Sequence, residues 1–246
     1  MPAWLPELAA SVFATIIAIT LHEAAHGYAA RALGDDTAAR MGRLSLNPIR
    51  HVDMVGTILL PGFLLVSQLL TIGRVEAMFG WAKPVPVNIW QLTNPRYGMV
   101  AVAAAGPATN FALALAAGLA AHLVEPWQAS LGADGTAFAY RAFGLFILAN
   151  LVLGLFNLFP MPPLDGGRIA VGMLPRTPAL ALARIEPYGL LLVMFGLFIL
   201  PHLLPGYDPM GWFLRGVVAP GYKSPSHGMR CQTQPGCHPA AGFTHS

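Results

Sequence analysis

Residues 5–30 read LPELAASVFATIIAITLHEAAHGYAA, and this stretch decides the class of fold. It is apolar over a length that crosses a membrane, since about 20 mostly apolar residues span a hydrocarbon core of roughly 30 Å. It lies near the N-terminus but lacks a basic n-region, and its long apolar run is interrupted by His22-Glu23. It therefore reads as a retained helix rather than a cleaved signal. The rest of the chain agrees. Of 246 residues, 55% are hydrophobic and only 10% charged, against roughly 25% charged in a soluble domain. So few charges cannot cover a water-facing surface. A disordered chain, a coiled coil and a nucleic-acid-binding module are all disfavoured, and no nucleic-acid partner is expected.

Further apolar windows run from Met54 to Ile72, Tyr97 to Leu123, Ala137 to Phe159 and Tyr188 to Leu204. A shorter one, Met210 to Val218, is too brief to span; it lies in the interface or re-enters. The predicted fold is an all-α membrane protein, a helical bundle of about five to six transmembrane segments. Residues 1–220 are expected to form a single domain. From Gly221 to Ser246 the composition turns to Pro, Gly, Ser, His and Thr, as in a disordered tail. Cys231, Cys237 and His238 fall in that tail, where two ordinary thiols are the plainer reading than a metal site.

Charges are costly in a bilayer core, so those present carry information. Glu23 is the acidic residue set well inside an apolar span, in Leu21-His22-Glu23-Ala24-Ala25-His26-Gly27. On a helix, His22 and His26 share one face, with about 5–6 Å between their Cβ atoms. Two imidazoles so spaced can bind one zinc ion, and Glu23 can serve as general base toward a water at the metal. A buried histidine is usually a satisfied core residue. Here three polar side chains would need partners inside hydrocarbon, and a metal satisfies two of them together.

A catalytic zinc takes three protein ligands. The best third candidate is Asp165, in Asn157-Leu158-Phe159-Pro160-Met161-Pro162-Pro163-Leu164-Asp165-Gly166-Gly167-Arg168. Pro160, Pro162 and Pro163 end the preceding span in an extended segment. Gly166 and Gly167 permit an unusual backbone and close approach to another element. In isolation the segment reads as an Asp-Gly turn at a helix end; beside an HExxH helix it reads as a ligand.

Together these residues resemble the site-2 protease family of intramembrane zinc metalloproteases, in its compact bacterial form without a PDZ or CBS domain. The resemblance rests on the HExxH of the first span and on Asn157 followed by Pro160, Pro162, Pro163 and Leu164-Asp165-Gly166. Phe79 to Asn88, Ala105-Gly106-Pro107 with Asn110, and Asn47-Pro48 with His51 and Asp53 are similar to further family segments. The match covers roughly residues 8 to 175. It implies that His22, His26 and Asp165 bind one zinc ion and that Glu23 is the catalytic base. Asn157 is similar to a family asparagine near the active site, where its amide would hold the scissile peptide or its oxyanion.

Geometry constrains the topology. At 1.5 Å per residue His22 lies about 21 Å beyond Leu8, near the far end of its helix, while Asp165 follows the fourth span. The two meet only if the first and fourth spans run in the same direction. Three full crossings between them would forbid that, so Met54–Ile72 is predicted to go up and part of Val75–Asn88 to return as an extended hairpin. Backbone of that kind is tolerable at depth only where it packs in protein or lines a wet cavity. Arg31, Arg40, Arg43, Arg50, Arg96, Arg168, Arg176 and Arg184 then share one side, and Arg141 is an exception on the other. The positive-inside bias sets the site nearer the cytoplasmic face of a cell membrane, with the N-terminus outside.

The expected activity is hydrolysis of peptide bonds in or near the transmembrane segments of membrane protein substrates. The extended Gly80–Asn88 segment, with Gly80, Trp81, Lys83 and Pro84, would clamp a substrate as an added strand, although for Trp81 and Trp90 an interfacial anchor is the commoner role at this depth than a substrate contact. His51 and Asp53 are either partners orienting a ligand or interface polar residues. Gly106 and Gly118 suggest close helix packing, and Asn110 and Asn150 hydrogen bonds between helices. The rival readings are a zinc hydrolase acting on a non-protein substrate and a membrane metal transporter.

Overall fold

The computed structural model describes residues 4–71, 73, 80–204, 206–208, 211–212 and 215–216. The described residues contain helices and no strand, so the all-α expectation holds. The tail with Cys231, Cys237 and His238, and most of Met210–Val218, lie outside them.

The first helix, α1, runs Trp4–Ala32. After a single turn at Thr37–Arg40 and another at Pro48–His51, α2 covers Met54–Thr71. It opens with a π-helical turn, Met54–Leu59, capped by Asp53, whose Oδ1 accepts from the N–H groups of Val55 and Gly56. Helix α3 is Pro95–Ala121, begun by Asn94 as N-cap with Pro95 in the first turn. Helix α4 is Gln128–Asn157, broken near its start at Gly132, where φ is 68°. Then come α5 (Asp165–Met173), α6 (Arg176–Ala183) and α7 (Glu186–Met194), the last continuing through Phe195–Ile199 to Leu200–Leu203. That final helical run, about 27 Å at 1.5 Å per residue, corresponds to the predicted fifth segment.

Among the described residues, three stretches are long and apolar enough to cross a membrane: Leu5–Ala32, Met54–Thr71 and Pro95–Asn157. The third folds back on itself, because α3 packs along α4, and so supplies two crossings. Helices α1, α3 and α4 pack pairwise as the core of the bundle. Their outer faces are apolar and bare, with Phe13 65% exposed, Leu115 66% and Leu119 63%, as lipid-facing surface requires.

The register of these three helices settles the direction problem. Near one end Arg141 of α4 pairs with Glu7 of α1 at 3.0 Å. Midway, Asn110 of α3 joins the Ala18 carbonyl of α1 to Asn150 of α4. At the other end His26 meets Val102, and Asp165, just past α4, meets His22. Hence α1 and α4 run parallel, with α3 antiparallel to both. The even number of traverses comes from the hairpin: α2 leaves at Met54, and by Trp81 the chain is back beside its start. There the Trp81 N–H donates to the Gly56 carbonyl at 3.1 Å, and the Thr57 hydroxyl donates to the Trp81 carbonyl. No residue of Leu60–Thr71 is buried, so this arm stands off from the core.

Candidate metal centre and catalytic site

The side chains of His22 (4% exposed), His26 (9%) and Asp165 (6%) converge in the bundle. The Nε2 atoms of the two histidines are 3.1 Å apart, and Asp165 Oδ2 lies 3.1 Å from that of His22 and 3.3 Å from that of His26. The chemistry of these atoms follows from what the opposite ring nitrogens do. His26 Nδ1 is 2.7 Å from the Val102 carbonyl, which can only accept, so Nδ1 carries the proton and Nε2 presents a lone pair. His22 Nδ1 is 2.6 Å from Asn110 Oδ1, with the same result. Asp165 Oδ2 is buried without a hydrogen-bond donor.

With both rings neutral, three acceptor atoms face one another, an arrangement that repels unless a cation sits between. Donors around a tetrahedral zinc, at about 2.0–2.1 Å, stand about 3.3 Å apart. The residues present fit such an ion, and His22, His26 and Asp165 could hold one.

Local sequence explains the placement. Asp165 occupies the first turn of α5, and Gly166 and Gly167 lie against the backbone of Leu158–Phe159 and Met161–Pro162, where a Cβ would collide. Their backbone is ordinary right-handed helix; close approach, not unusual conformation, requires glycine here. The proline segment thus curls over the start of α5 and presses Asp165 toward α1. At the other end of α5, Arg96 of α3 donates to the carbonyls of Gly172 (2.7 Å) and Leu174 (2.5 Å), fixing the helix that carries Asp165. Gly106 of α3 lies directly against the imidazoles: a Cβ there would be 2.5 Å from His26 Cε1 and Nε2 and 2.6 Å from His22 Cε1. The packing expected of Gly106 is against these rings, whereas a Cβ on Gly118 would meet nothing within 4 Å.

Glu23, one residue from His22, is half-buried and its Oε2 accepts from the Val85 N–H at 3.0 Å. Val85 sits in the extended segment, where the protein takes every second amide from Trp81 to Val85. Those of Trp81, Lys83 and Val85 go to the Gly56 carbonyl, the His51 carbonyl and Glu23, and Asn88 donates to Asp35 Oδ2 at 2.6 Å. Asp35 is 1% exposed and its Oδ1 accepts from the Thr37 N–H. Burial works to raise its pKa, but the bonds from Thr37 and Asn88 and the nearby Arg40 outweigh it and hold the carboxyl below its usual range. Arg43 adds bonds to the carbonyls of Lys83 and Pro84, and the Trp81 ring packs over Gly56.

The remaining expected site residues do other things. His51 Nε2 bonds the Ser45 carbonyl, and its own carbonyl anchors Lys83; Asp53 caps α2. Among the described residues neither side chain bonds a ligand of the cluster. Asn157 turns its amide back to the Leu153 carbonyl at 3.0 Å. Gly80, Lys83 and Pro84 are exposed along the extended segment. Sequence reasoning missed three contributors, Val102, Val85 and Asp35. The first two act through backbone atoms, which leave no trace in residue type.

The peptidase family M50 model matches residues 128–200, the stretch that holds α4, the proline segment and Asp165. YwhC of Bacillus subtilis, which carries a zinc-metalloprotease name, is 39% identical over 190 residues, covering 77% of this chain and 80% of that protein. Rip2 of Mycobacterium tuberculosis, with a name of the same kind, is 34% identical over 229 residues, covering 88% of this chain and 78% of the relative. No solved structure matches the chain. Likeness of this extent to relatives so named, together with the apolar helices, decides the matter: the chain belongs to peptidase family M50, the site-2 protease family of zinc-dependent membrane metalloproteases.

Proposed function

We propose that the chain is an intramembrane endopeptidase that cuts peptide bonds in or near the transmembrane segments of membrane protein substrates. The observation that carries this is the convergence of His22 Nε2, His26 Nε2 and Asp165 Oδ2, with the Glu23 carboxylate adjoining them and bonded to an extended backbone segment. His22, His26 and Asp165 would hold the zinc. When bound, the ion supplies Lewis-acid polarisation of the scissile carbonyl and acidifies the attacking water.

The chain's own groups do the rest. Glu23 takes the water's proton and hands it to the leaving amine. The Val85 N–H orients the carboxylate for that transfer. Gly80–Asn88 offers an outer edge to an unwound substrate. The amides of Trp81, Lys83 and Val85 are taken, Pro84 and Pro86 have none, and the carbonyls of Trp81, Lys83 and Pro84 already accept from Thr57 and Arg43, so Ala82 is the amide donor left between Trp81 and Val87. A substrate strand there would gain few main-chain bonds, so Trp81, Lys83 and Pro84 would contribute as surface rather than as a full ladder. The segments carrying Arg31, Arg40, Arg43, Arg96 and Arg168 lie at the cluster's end of the bundle, which supports a site nearer the cytoplasmic face of a bacterial cell membrane.

The test compares native protein with Glu23→Gln, each with single-span membrane substrates in vesicles and with zinc measured. Cleavage by the native protein alone, with zinc in both, supports the reading. Zinc in both with no cleavage of any peptide would favour a hydrolase of non-protein substrates. Zinc flux that survives in the variant would favour a transporter.

A further inference from the structure

Two asparagines, each 0% exposed, stand behind His22 in the apolar core. Asn150 Nδ2 donates to the Phe146 carbonyl at 2.9 Å, one turn back on α4. That partner is a backbone carbonyl, so it fixes which end of the Asn150 amide is which. Asn150 Oδ1 then faces Asn110 and accepts from its Nδ2 at 2.9 Å, while the same Nδ2 reaches the Ala18 carbonyl at 3.4 Å. Both acceptors orient the Asn110 amide the same way, leaving Oδ1 as the atom 2.6 Å from His22 Nδ1. Each link has one possible polarity, set from Phe146 forward.

We propose that Asn150 and Asn110 form a relay that fixes the tautomer of His22, keeping the proton on Nδ1 and the Nε2 lone pair free for zinc. Neither asparagine touches the ion or substrate; both are positioning residues. The proposal rests on the reading of His22 as a ligand. A helix–helix bond alone would not need it: Asn110 could cross-link α1 and α4 through Ala18 and Asn150 with its oxygen aimed anywhere. The arrangement is specific because an unanchored Asn110 can flip and present its NH₂ to His22. The ring would then accept at Nδ1 and carry its proton on Nε2, where the ion must bind. His26 has no such degree of freedom, because its partner is the Val102 carbonyl. The relay is what places His22 on the same footing.

The experiment uses the full chain. In the native apo protein, ¹⁵N shifts of His22 should report the Nδ1–H tautomer; the Nε2–H form in the native protein overturns the relay without any variant. Asn150→Leu fills the space but removes the shorter of the two bonds that orient Asn110, leaving its amide held only by the 3.4 Å bond to the Ala18 carbonyl. It should shift His22 toward Nε2–H and weaken zinc binding, in competition with a chelator, by about 10–100-fold, the range seen when groups behind metal ligands are removed. Asn150→Ser, whose hydroxyl can donate back to Phe146 and accept from Asn110, should restore the native tautomer. Zinc affinity within twofold of native in Asn150→Leu, with the tautomer unchanged, overturns the proposal even if thermal stability falls. His22→Ala separates the two claims. If it keeps native zinc affinity, the reading of His22 as a ligand fails; if it loses zinc while Asn150→Leu does not, only the relay fails.

Discussion

Gly106→Ala adds one methyl group to α3 and should empty the metal centre. The new Cβ would lie 2.5 Å from two atoms of the His26 ring and 2.6 Å from His22 Cε1, where ordinary contact begins at 3.4 Å. Relief requires the rings or α3 to retreat by about 0.9 Å, while metal–ligand distances tolerate about 0.2 Å. If the rings move, the three donors no longer share a centre. If α3 moves, the bonds to Val102 and Asn110 stretch and the rings lose their tautomers. We expect zinc affinity to fall more than about 100-fold, beyond what losing a group behind a ligand costs, with an overpacking penalty of about 1–3 kcal/mol in stability. The assay is zinc content after chelator challenge, with helicity followed in parallel. Gly118→Ala is the matched control: it lies on the same helix and its Cβ would meet nothing within 4 Å. That variant should keep its zinc and gain up to about 1 kcal/mol from helix propensity. Native zinc affinity in Gly106→Ala would refute the reasoning.

Other perturbations probe other joints of the site. Val85→Pro keeps an extended backbone but removes the N–H that holds Glu23. Losing a hydrogen bond to a charged group costs roughly 1.5–3 kcal/mol, so kcat should fall about tenfold or more with zinc retained; unchanged kcat would show that the bond does not orient the base. Arg96→Met frees the C-terminal carbonyls of α5, and chelator-induced zinc loss should speed up several-fold because Asp165 rides on that helix. For Asp35, the folded pKa lies below the unfolded value of about 3.9. Its stabilisation is therefore present above that value and is lost as pH falls through the folded pKa. Hydrogen exchange of the Asn88 amide, corrected for intrinsic rate, should keep its protection as pH falls to about 3.9 and lose it only below that value. Asp35→Asn should lower the protection above about 3.9, where the native carboxylate is charged, and remove its pH dependence.

The parts legible in the sequence were those where residue type and spacing carry the physics. Helical periodicity put His22 and His26 on one face, and three prolines announced the break before Asp165. The hairpin followed from a geometric necessity: ligands on α1 and beyond α4 must meet. Asn110 and Asn150 were visible as polar residues needing partners between helices. That one of them would bond a histidine was not visible, because the partner depends on rotation of α3 about its axis. His51 and Asp53 showed the opposite failure. Asp53 precedes Met54-Val55-Gly56 in the position of an N-cap, and the structure gives it that role. The bonds made by Val85, Val102 and His51 use backbone atoms common to every residue, so no composition or pattern could single them out.

The central claim is that one zinc ion is held by two imidazole nitrogens and one carboxylate oxygen from His22, His26 and Asp165. X-ray absorption at the zinc edge of the loaded protein tests it most directly. The account predicts nitrogen and oxygen neighbours at about 2.0–2.2 Å with imidazole scattering from two rings, and loss of the bound metal in Asp165→Ala. A sulfur shell at about 2.3 Å, pointing to Cys231 and Cys237, or an unchanged spectrum in Asp165→Ala would contradict it.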